Sequence, residues 1–252
     1  MLPQLDRWPQ SGLRRGRVLV VGAGGLGCPA ALSLAAAGVG VLGLIDCDAV
    51  DVSNLQRQIL YRTEDVGRRK AHAAAERIAA WYPEVSVHAF DARLSADNLA
   101  SVFRQFDFII DGTDQIASKY LVNDGAVLLG IPFSHAGVVG FRGQTMTIMP
   151  ARSACLRCLF PSPPSGTDVP TCQDAGVIGA VCGAIGAVQA TEAIKHLLGA
   201  DHLLTDRLLT YDALTARWRT IALARSHACP LCGDHPTIQR VEPVGIAGDA
   251  CE

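Results

Sequence analysis

Apolar and polar positions divide the chain into alternating strand-like and helix-like stretches. Arg17 to Val21 is a short apolar run, followed by Gly22-Ala23-Gly24-Gly25-Leu26-Gly27 and an alanine-rich helical pattern. Pro29 falls in the first turn of that helix, where its missing N–H is harmless, and Gly38 closes it. Val39 to Ile45 reads as a second strand, and Ser53 as the cap of a short helix over Asn54 to Leu60. Gly67 to Trp81 places Ala71, Ala75, Ile78 and Ala79 on one face and stops before Pro83, which predicts a longer helix. Val85 to Phe90 alternates as a strand and Ser95 to Arg104 is helical. Phe106 to Ile110 reads as a buried strand and Ala117 to Leu129 as a helix capped by Asp114.

Beyond Ile131 the character changes. Pro132 to Val139 and Gly143 to Met149 predict strands, and Pro161 to Pro170 an exposed loop. Gly176 to Leu198 predicts a long helix with glycines three and four apart, whose lost propensity implies close packing against another backbone. Leu208 to Asp212 and Arg217 to Leu223 finish as strands. Strand–helix alternation after a glycine turn predicts a Rossmann-like α/β fold: a mainly parallel, doubly wound sheet with a C-terminal antiparallel extension. We expect one domain over 1–252, with a nucleotide-binding half at about 17–130 and a second half at about 131–235.

Composition narrows the possibilities. The chain has 252 residues, 49% hydrophobic and 18% charged, so it is globular. A net charge of −2 gives no reason to expect nucleic acid. Met1 to Gln10 has no apolar core, and the longest apolar run, Ala175 to Val188, is too short for a bilayer, so the expectation is a cytoplasmic protein. Nine cysteines include two C-x-x-C pairs, Cys155/Cys158 and Cys229/Cys232, separated by 70 residues. Two such pairs favour a closed tetrahedral zinc site that pins the C-terminal tail to mid-chain, over a redox dithiol. Cys28, Cys47 and Cys182 read as packing, and the histidines show no metal spacing.

The glycine turn brings backbone N–H groups to a phosphate at a helix N-terminus, and Asp46 falls where a ribose-binding acid belongs. Alone, that pattern would also suit an NAD-dependent oxidoreductase. Asn54, Arg57 and Lys70 follow it, however, and a hydride-transfer site rarely needs two cations there, whereas a triphosphate does. The ordered set Gly22–Gly27, Ser53–Gln58, Gly112-Thr113-Asp114, Cys155-Leu156-Arg157-Cys158 and Cys229-Pro230-Leu231-Cys232 resembles the ThiF/MoeB (HesA/MoeB/ThiF) family, bacterial relatives of ubiquitin-activating enzymes, from about Arg17 to Cys232.

The resemblance implies an ATP-dependent adenylyltransferase for the C-terminal glycine of a ubiquitin-like sulfur carrier (ThiS- or MoaD-like), in thiamine or molybdopterin biosynthesis. It implies ATP and Mg²⁺ alongside the zinc, a sulfur donor such as a cysteine desulfurase or rhodanese, and a homodimer. On this pattern Gly22, Gly24, Gly25, Gly27, Asp46, Ser53, Asn54, Leu55, Gln56, Arg57, Lys70, Asp114 and Gln115 line the nucleotide. Arg57, Lys70 and Asp114, the Mg²⁺ ligand, carry catalysis, with Cys172 as a further sulfur-chemistry candidate. Two departures stand out. Gln115 replaces the family's usual Asn, and the family's N-terminal Arg-Gln helix is absent, leaving Arg7, Arg14 or Arg15 as substitutes or a catalytically impaired carrier-binding relative. Gly176 to Leu198 is expected at or beside the dimer interface.

Overall fold

The computed structural model describes residues 10–164 and 176–242. Its strands are β1 (Arg17–Val21), β2 (Val41–Ile45), β3 (Ser86–Phe90), β4 (Phe108–Asp111), β5 (Phe133–Val139), β6 (Arg142–Ile148), β7 (Arg207–Asp212) and β8 (Arg217–Ala222). They form one sheet in the order β3-β2-β1-β4-β5-β6-β7-β8. The pairs among β3, β2, β1, β4 and β5 are parallel, and β6, β7 and β8 continue the sheet antiparallel. The order reverses between β1 and β4, so their carboxyl ends frame the crevice where such sheets bind ligands.

The helices are α1 (Gln10–Arg15), α2 (Gly27–Ala37), α3 (Lys70–Trp81), α4 (Ala96–Phe103), α5 (Ile116–Leu129), α6 (Leu156–Leu159) and α7 (Gly179–Leu197). Alternate strand residues feed two cores. Val18, Val20, Leu42, Leu44 and Phe108 pack with residues of α2, α3 and α7, while Leu19, Val21 and Ile109 pack with those of α4 and α5. A sheet covered on both faces explains why β1 and β4 read as continuous apolar runs.

Several predicted boundaries shift for local reasons. The helix expected from Gly67 begins at Lys70, because Gly67 is left-handed (φ 86°) and Arg69 pairs with Ala49 in an isolated bridge. Asp51, not Ser53, accepts the capping bond, and it starts only a 3-10 turn over Val52–Asn54 in place of the helix expected to Leu60. Phe106 still closes the turn after α4, its N–H bonded to the carbonyl of Phe103, so β4 starts at Phe108. Gln115, not Asp114, sits at the start of α5, without a side-chain cap. Gly176 is left-handed (φ 67°) and Val177 bridges Gly140, so α7 starts at Gly179.

The glycines of α7 divide by environment. A Cβ on Gly186 would lie 2.6 Å from the carbonyl oxygen of Leu26 and 2.8 Å from Pro29 Cγ, whereas one on Gly183 would meet nothing within 4 Å. The first is the expected backbone contact, where α7 crosses α2; the second faces open space. Gly186→Val should therefore cost about 2 kcal/mol or more through overpacking. Gly183→Ala should be neutral or stabilising by up to about 1 kcal/mol through helix propensity. Urea unfolding of both variants checks the contrast; equal effects would refute it.

Candidate functional site

The glycine turn is set by three backbone approaches that leave no room for a side chain. Gly22 is left-handed (φ 87°). A Cβ on Gly27 would fall 1.8 Å from the carbonyl oxygen of Gly22, and one on Gly112 2.8 Å from the same oxygen. The loop after β1 is thus pressed against the loop after β4. The helix that follows has no side-chain cap and no acid in its first turn, so its leading N–H groups face the crevice without a competing side chain.

Asp46, at the end of β2, braces this turn. Its Oδ2 accepts from Ala23 N at 2.7 Å and its Oδ1 from Asp48 N at 2.8 Å, and each oxygen keeps a lone pair for a ribose hydroxyl. Burial pushes its carboxyl above the usual range, against the opposing pull of the Lys70 cation. Lys70 reaches this place through a short antiparallel clip. Val50 N donates to Arg68 O, Gly67 N to Val50 O and Lys70 N to Asp48 O, all at 2.8–2.9 Å. The buried Lys70 then donates from Nζ to Asp48 Oδ2 at 2.8 Å. Asp48 is 54% exposed at its side chain, so an incoming phosphate can compete for that cation. Tyr61 ties both pieces together, its hydroxyl lying 2.9 Å from the carbonyl oxygen of Ala23 and 3.3 Å from that of Lys70.

Arg57 stands against the turn: a Cβ on Gly25 would lie 3.4 Å from Arg57 Cδ and 3.2 Å from Cys182 Sγ. Its Nη1 donates to the carbonyl of Ser53 at 3.1 Å, and the neighbouring Gln56 carbonyl packs under Gly179 of α7. Asn54 is half-buried and its Nδ2 donates to Ser53 Oγ at 3.3 Å. Leu55 is half-buried and packs against the core.

Asp114 is exposed on the loop after β4, and its supports lie underneath. Asp111 is fully buried. Its Oδ1 accepts from Thr113 N and Oγ1 at 3.1 and 2.6 Å, and its Oδ2 pairs with Lys119 Nζ at 3.3 Å and His135 Nδ1 at 2.9 Å. Lys119 also donates to the carbonyls of Thr113 and Ala136, each at 2.6 Å. Burial raises the carboxyl of Asp111, but Lys119, His135 and Thr113 outweigh it and bring its pKa down to about 2. Burial lowers His135, against the pull of Asp111, whose carboxylate takes the ring's Nδ1 as its partner.

The four thiols expected from sequence converge. The Sγ atoms of Cys155, Cys158, Cys229 and Cys232 all lie within 4.8 Å of one another, and the closer pairs are 3.4–3.9 Å apart. A tetrahedral zinc with bonds of about 2.3 Å needs sulfurs about 3.8 Å apart, so the donor set fits that ion. Without a cation the thiols split: the hydrogen bond to Cys232 raises Cys155, burial lifts Cys158 to about 11, and the hydrogen bond from Cys155 brings Cys232 down to about 5.

The ThiF family description matches residues 1–231. The chain belongs to the ThiF family. A sulfur carrier protein adenylyltransferase of Thermus thermophilus is 45% identical over 242 residues, covering 94% of this chain and 89% of that protein. A probable adenylyltransferase/sulfurtransferase of Mycobacterium tuberculosis, MoeZ, is 44% identical over 234 residues, and the chain spans 60% of that relative's length. The crystal structure of Escherichia coli MccB shares the fold, with a TM-score of 0.80 at 21% identity over 90% of this chain and 68% of that one. No helix among the described residues is long and apolar enough to cross a membrane.

The structure brings Gly22, Gly24, Gly25, Gly27, Asp46, Arg57 and Lys70 to one crevice, with Asp114 and Gln115 on its far rim. Cys172 and Arg7 lie outside the described residues. Cys28 and Cys182 are buried, and burial pushes the Cys28 thiol up to about 12, which suits packing. Cys47 is half-buried, just beyond the end of β2. Sequence reasoning missed Asp48, Lys119, His135 and the role of Asp111. Only the tertiary pairing of 48–50 with 67–70, and of β4 with β5, reveals them.

The Asp111 network gives a pH signature. A carboxyl titrating near 2 when folded and at its ordinary 3.8 when unfolded stabilises the fold fully above about pH 4. That contribution is lost as pH falls from about 4 towards 2. Asp111→Asn, which leaves Lys119 without its buried partner, should cost about 3–5 kcal/mol at neutral pH. The gap to wild type in urea unfolding should shrink as pH falls through this window; a constant gap would contradict it.

Proposed function

We propose that this chain is an ATP-dependent adenylyltransferase that activates the C-terminal glycine of a ubiquitin-like sulfur carrier, ThiS- or MoaD-like, as an acyl-adenylate. The observation that carries this reading is the buried Lys70 cation, held beside Asp46 and the glycine turn by a carboxylate that solvent and phosphate can reach. Family membership and the names of the relatives support it. An NAD-dependent oxidoreductase has no use for that cation, and the relatives favour neither it nor a turnover-deficient carrier-binding protein.

In this reading Asp46 accepts from the ribose hydroxyls while the turn, Asn54, Arg57 and Lys70 hold the triphosphate. Asp114 would hold Mg²⁺, which would neutralise phosphate charge. The carrier's terminal carboxylate oxygen attacks the α-phosphorus, a carboxyl O–P bond forms, the bond from the α-phosphorus to the bridging oxygen breaks, and pyrophosphate departs with that oxygen. The nucleophile is already ionised, so no general base is needed, and the site contributes positioning and charge complementarity. A sulfur donor such as a cysteine desulfurase or rhodanese then supplies a persulfide whose terminal sulfur attacks the acyl carbon and displaces AMP, and a second thiol cleaves the resulting S–S bond, ending as a disulfide and freeing the carrier thiocarboxylate for thiamine or molybdopterin synthesis. Cys155, Cys158, Cys229 and Cys232 would hold a zinc in a structural role. Its removal by a chelator should lower the melting temperature and release one zinc per chain; a folded, active preparation without zinc would contradict it.

The chain also acts as a homodimer in this proposal. Ala180 and Ala187 of α7 are exposed and Gly183 faces open space, and Val139, Phe141 and Ile178 beside them are each 40–42% exposed. Light scattering of wild type and Gly183→Leu tests this: a wild-type monomer at micromolar concentration would refute the dimer, and a dimeric variant of unchanged stability would remove α7 from its interface.

The principal test is pyrophosphate release with purified carriers. Asp114→Ala and Arg57→Ala should each reduce it on the order of a hundred-fold or more with the fold intact. Near-normal release by Asp114→Ala would overturn the assignment.

A further inference from the structure

The register between β4 and β5 stops short of the crevice. It pairs Ile109 with Phe133 and Ile110 with Ser134, although β5 runs on to Val139 and β4 leads into the loop that carries Asp114. One step further, Asp111 and His135 meet through their side chains, Oδ2 to Nδ1 at 2.9 Å. Two more side chains, one from each face of the sheet, bridge the split between the strands. From α7, Gln189 Nε2 donates to the carbonyls of Asp111 at 2.9 Å and Ser134 at 3.0 Å. From α5, Lys119 Nζ donates to the carbonyls of Thr113 and Ala136, each at 2.6 Å, and to Asp111 Oδ2 at 3.3 Å.

The two clips hold different things. Gln189 gives both amide N–H groups to carbonyls and leaves its buried Oε1 without a partner, and it fixes Asp111 within the core. An ammonium has three donors, and the three acceptors around Lys119 use them all. Lys119 thereby ties Thr113, the residue before Asp114, to Ala136, which is itself paired with Thr145 of β6. Asp114 is exposed and makes no hydrogen bond or ion pair of its own among the described residues. Its free carboxylate is the kind of oxygen donor that Mg²⁺ takes, and its position depends on the backbone beneath it.

We propose that Lys119 is a positioning residue for metal binding: by clipping Thr113 to β5 it aims the Asp114 carboxylate at the metal that accompanies the nucleotide. This rests on the reading that the crevice holds ATP with Mg²⁺ at Asp114. The Lys119 side chain is only 13% exposed and its donors are all taken, so it acts through Asp114 and not on the phosphates. Without it the Thr113 carbonyl loses its link to β5, and Asp111, which accepts from Thr113 N and Oγ1, loses the cation that balances it.

Equilibrium binding of Mn²⁺ in place of Mg²⁺, followed by electron paramagnetic resonance with the full chain and a non-hydrolysable ATP analogue, tests this. Lys119→Met keeps the stem and removes the donors. It should weaken Mn²⁺ in the ternary complex by about tenfold or more, the loss typical of removing a partner that orients a metal ligand. Its affinity for the metal-free analogue should stay at the wild-type value. Lys119→Arg, which restores charge and donors, should recover part of the Mn²⁺ affinity. Asp111→Asn/Lys119→Met removes the buried pair together and leaves no unpaired charge, so it decides the matter if Lys119→Met does not fold, and it should show the same loss. Asp114→Ala and Asp114→Ala/Lys119→Met should bind Mn²⁺ equally weakly, because Lys119 then has nothing left to position. Wild-type Mn²⁺ affinity in folded Lys119→Met or in the paired variant overturns the proposal. A further loss in Asp114→Ala/Lys119→Met also overturns it, since Lys119 would then act on the site by another route. In both cases the nucleotide reading stands, because the wild type binds the analogue; a wild-type chain that binds no nucleotide overturns both.

Discussion

Gly22, Gly27 and Gly112 hold three backbone segments so close that no Cβ fits between them, and the rest of the site depends on that contact. It joins the loops after β1 and β4 at the point where the strand order reverses. It aims the start of α2 into the crevice and sets Ala23 where Asp46 and Tyr61 can bond it. A side chain at Gly112 would have to push the two loops apart, and one at Gly27 would displace the Gly22 carbonyl within its own turn, so that the phosphate-facing turn, the ribose acid and the Asp114 rim would lose their register.

Around that contact the chain arranges charge in two ways. Beneath the rim, Asp111 is satisfied entirely by Lys119, His135 and Thr113, so it stays ionised in the core and stiffens the loop that carries Asp114. At the crevice itself Lys70 is buried but its partner Asp48 is not. A buried cation with an exchangeable partner is poised to accept a phosphate, because the exchange replaces one charge-assisted bond by another without leaving the cation unpaired. The zinc-fitting cysteines have a third purpose: they fasten residues 229–232 beside 155–158 and so fix the C-terminal end of the described chain on the same face as α5.

Much of this was legible because apolar periodicity and glycine placement act locally. The strand Arg17–Val21, the cap at Gly38 and the paired C-x-x-C motifs were read at the right positions. The misses have a common cause. Residues 67–69 carry helix-compatible side chains yet pair with 48–50, and Val177 bridges Gly140, so tertiary hydrogen bonds override propensity at both helix starts. Asp48, Lys119 and His135 were unreadable for the same reason, since each gains its meaning from a partner eight or more residues away.

The central claim is that this crevice joins AMP to a carrier's terminal carboxyl. Mass spectrometry of a sulfur carrier ending in glycine, incubated with the chain, ATP and Mg²⁺, tests it most directly. The account predicts a carrier heavier by one adenylyl group at its C-terminal glycine, and none on a carrier lacking that glycine. A carrier of unchanged mass, in the presence of folded chain shown to bind ATP, would contradict it.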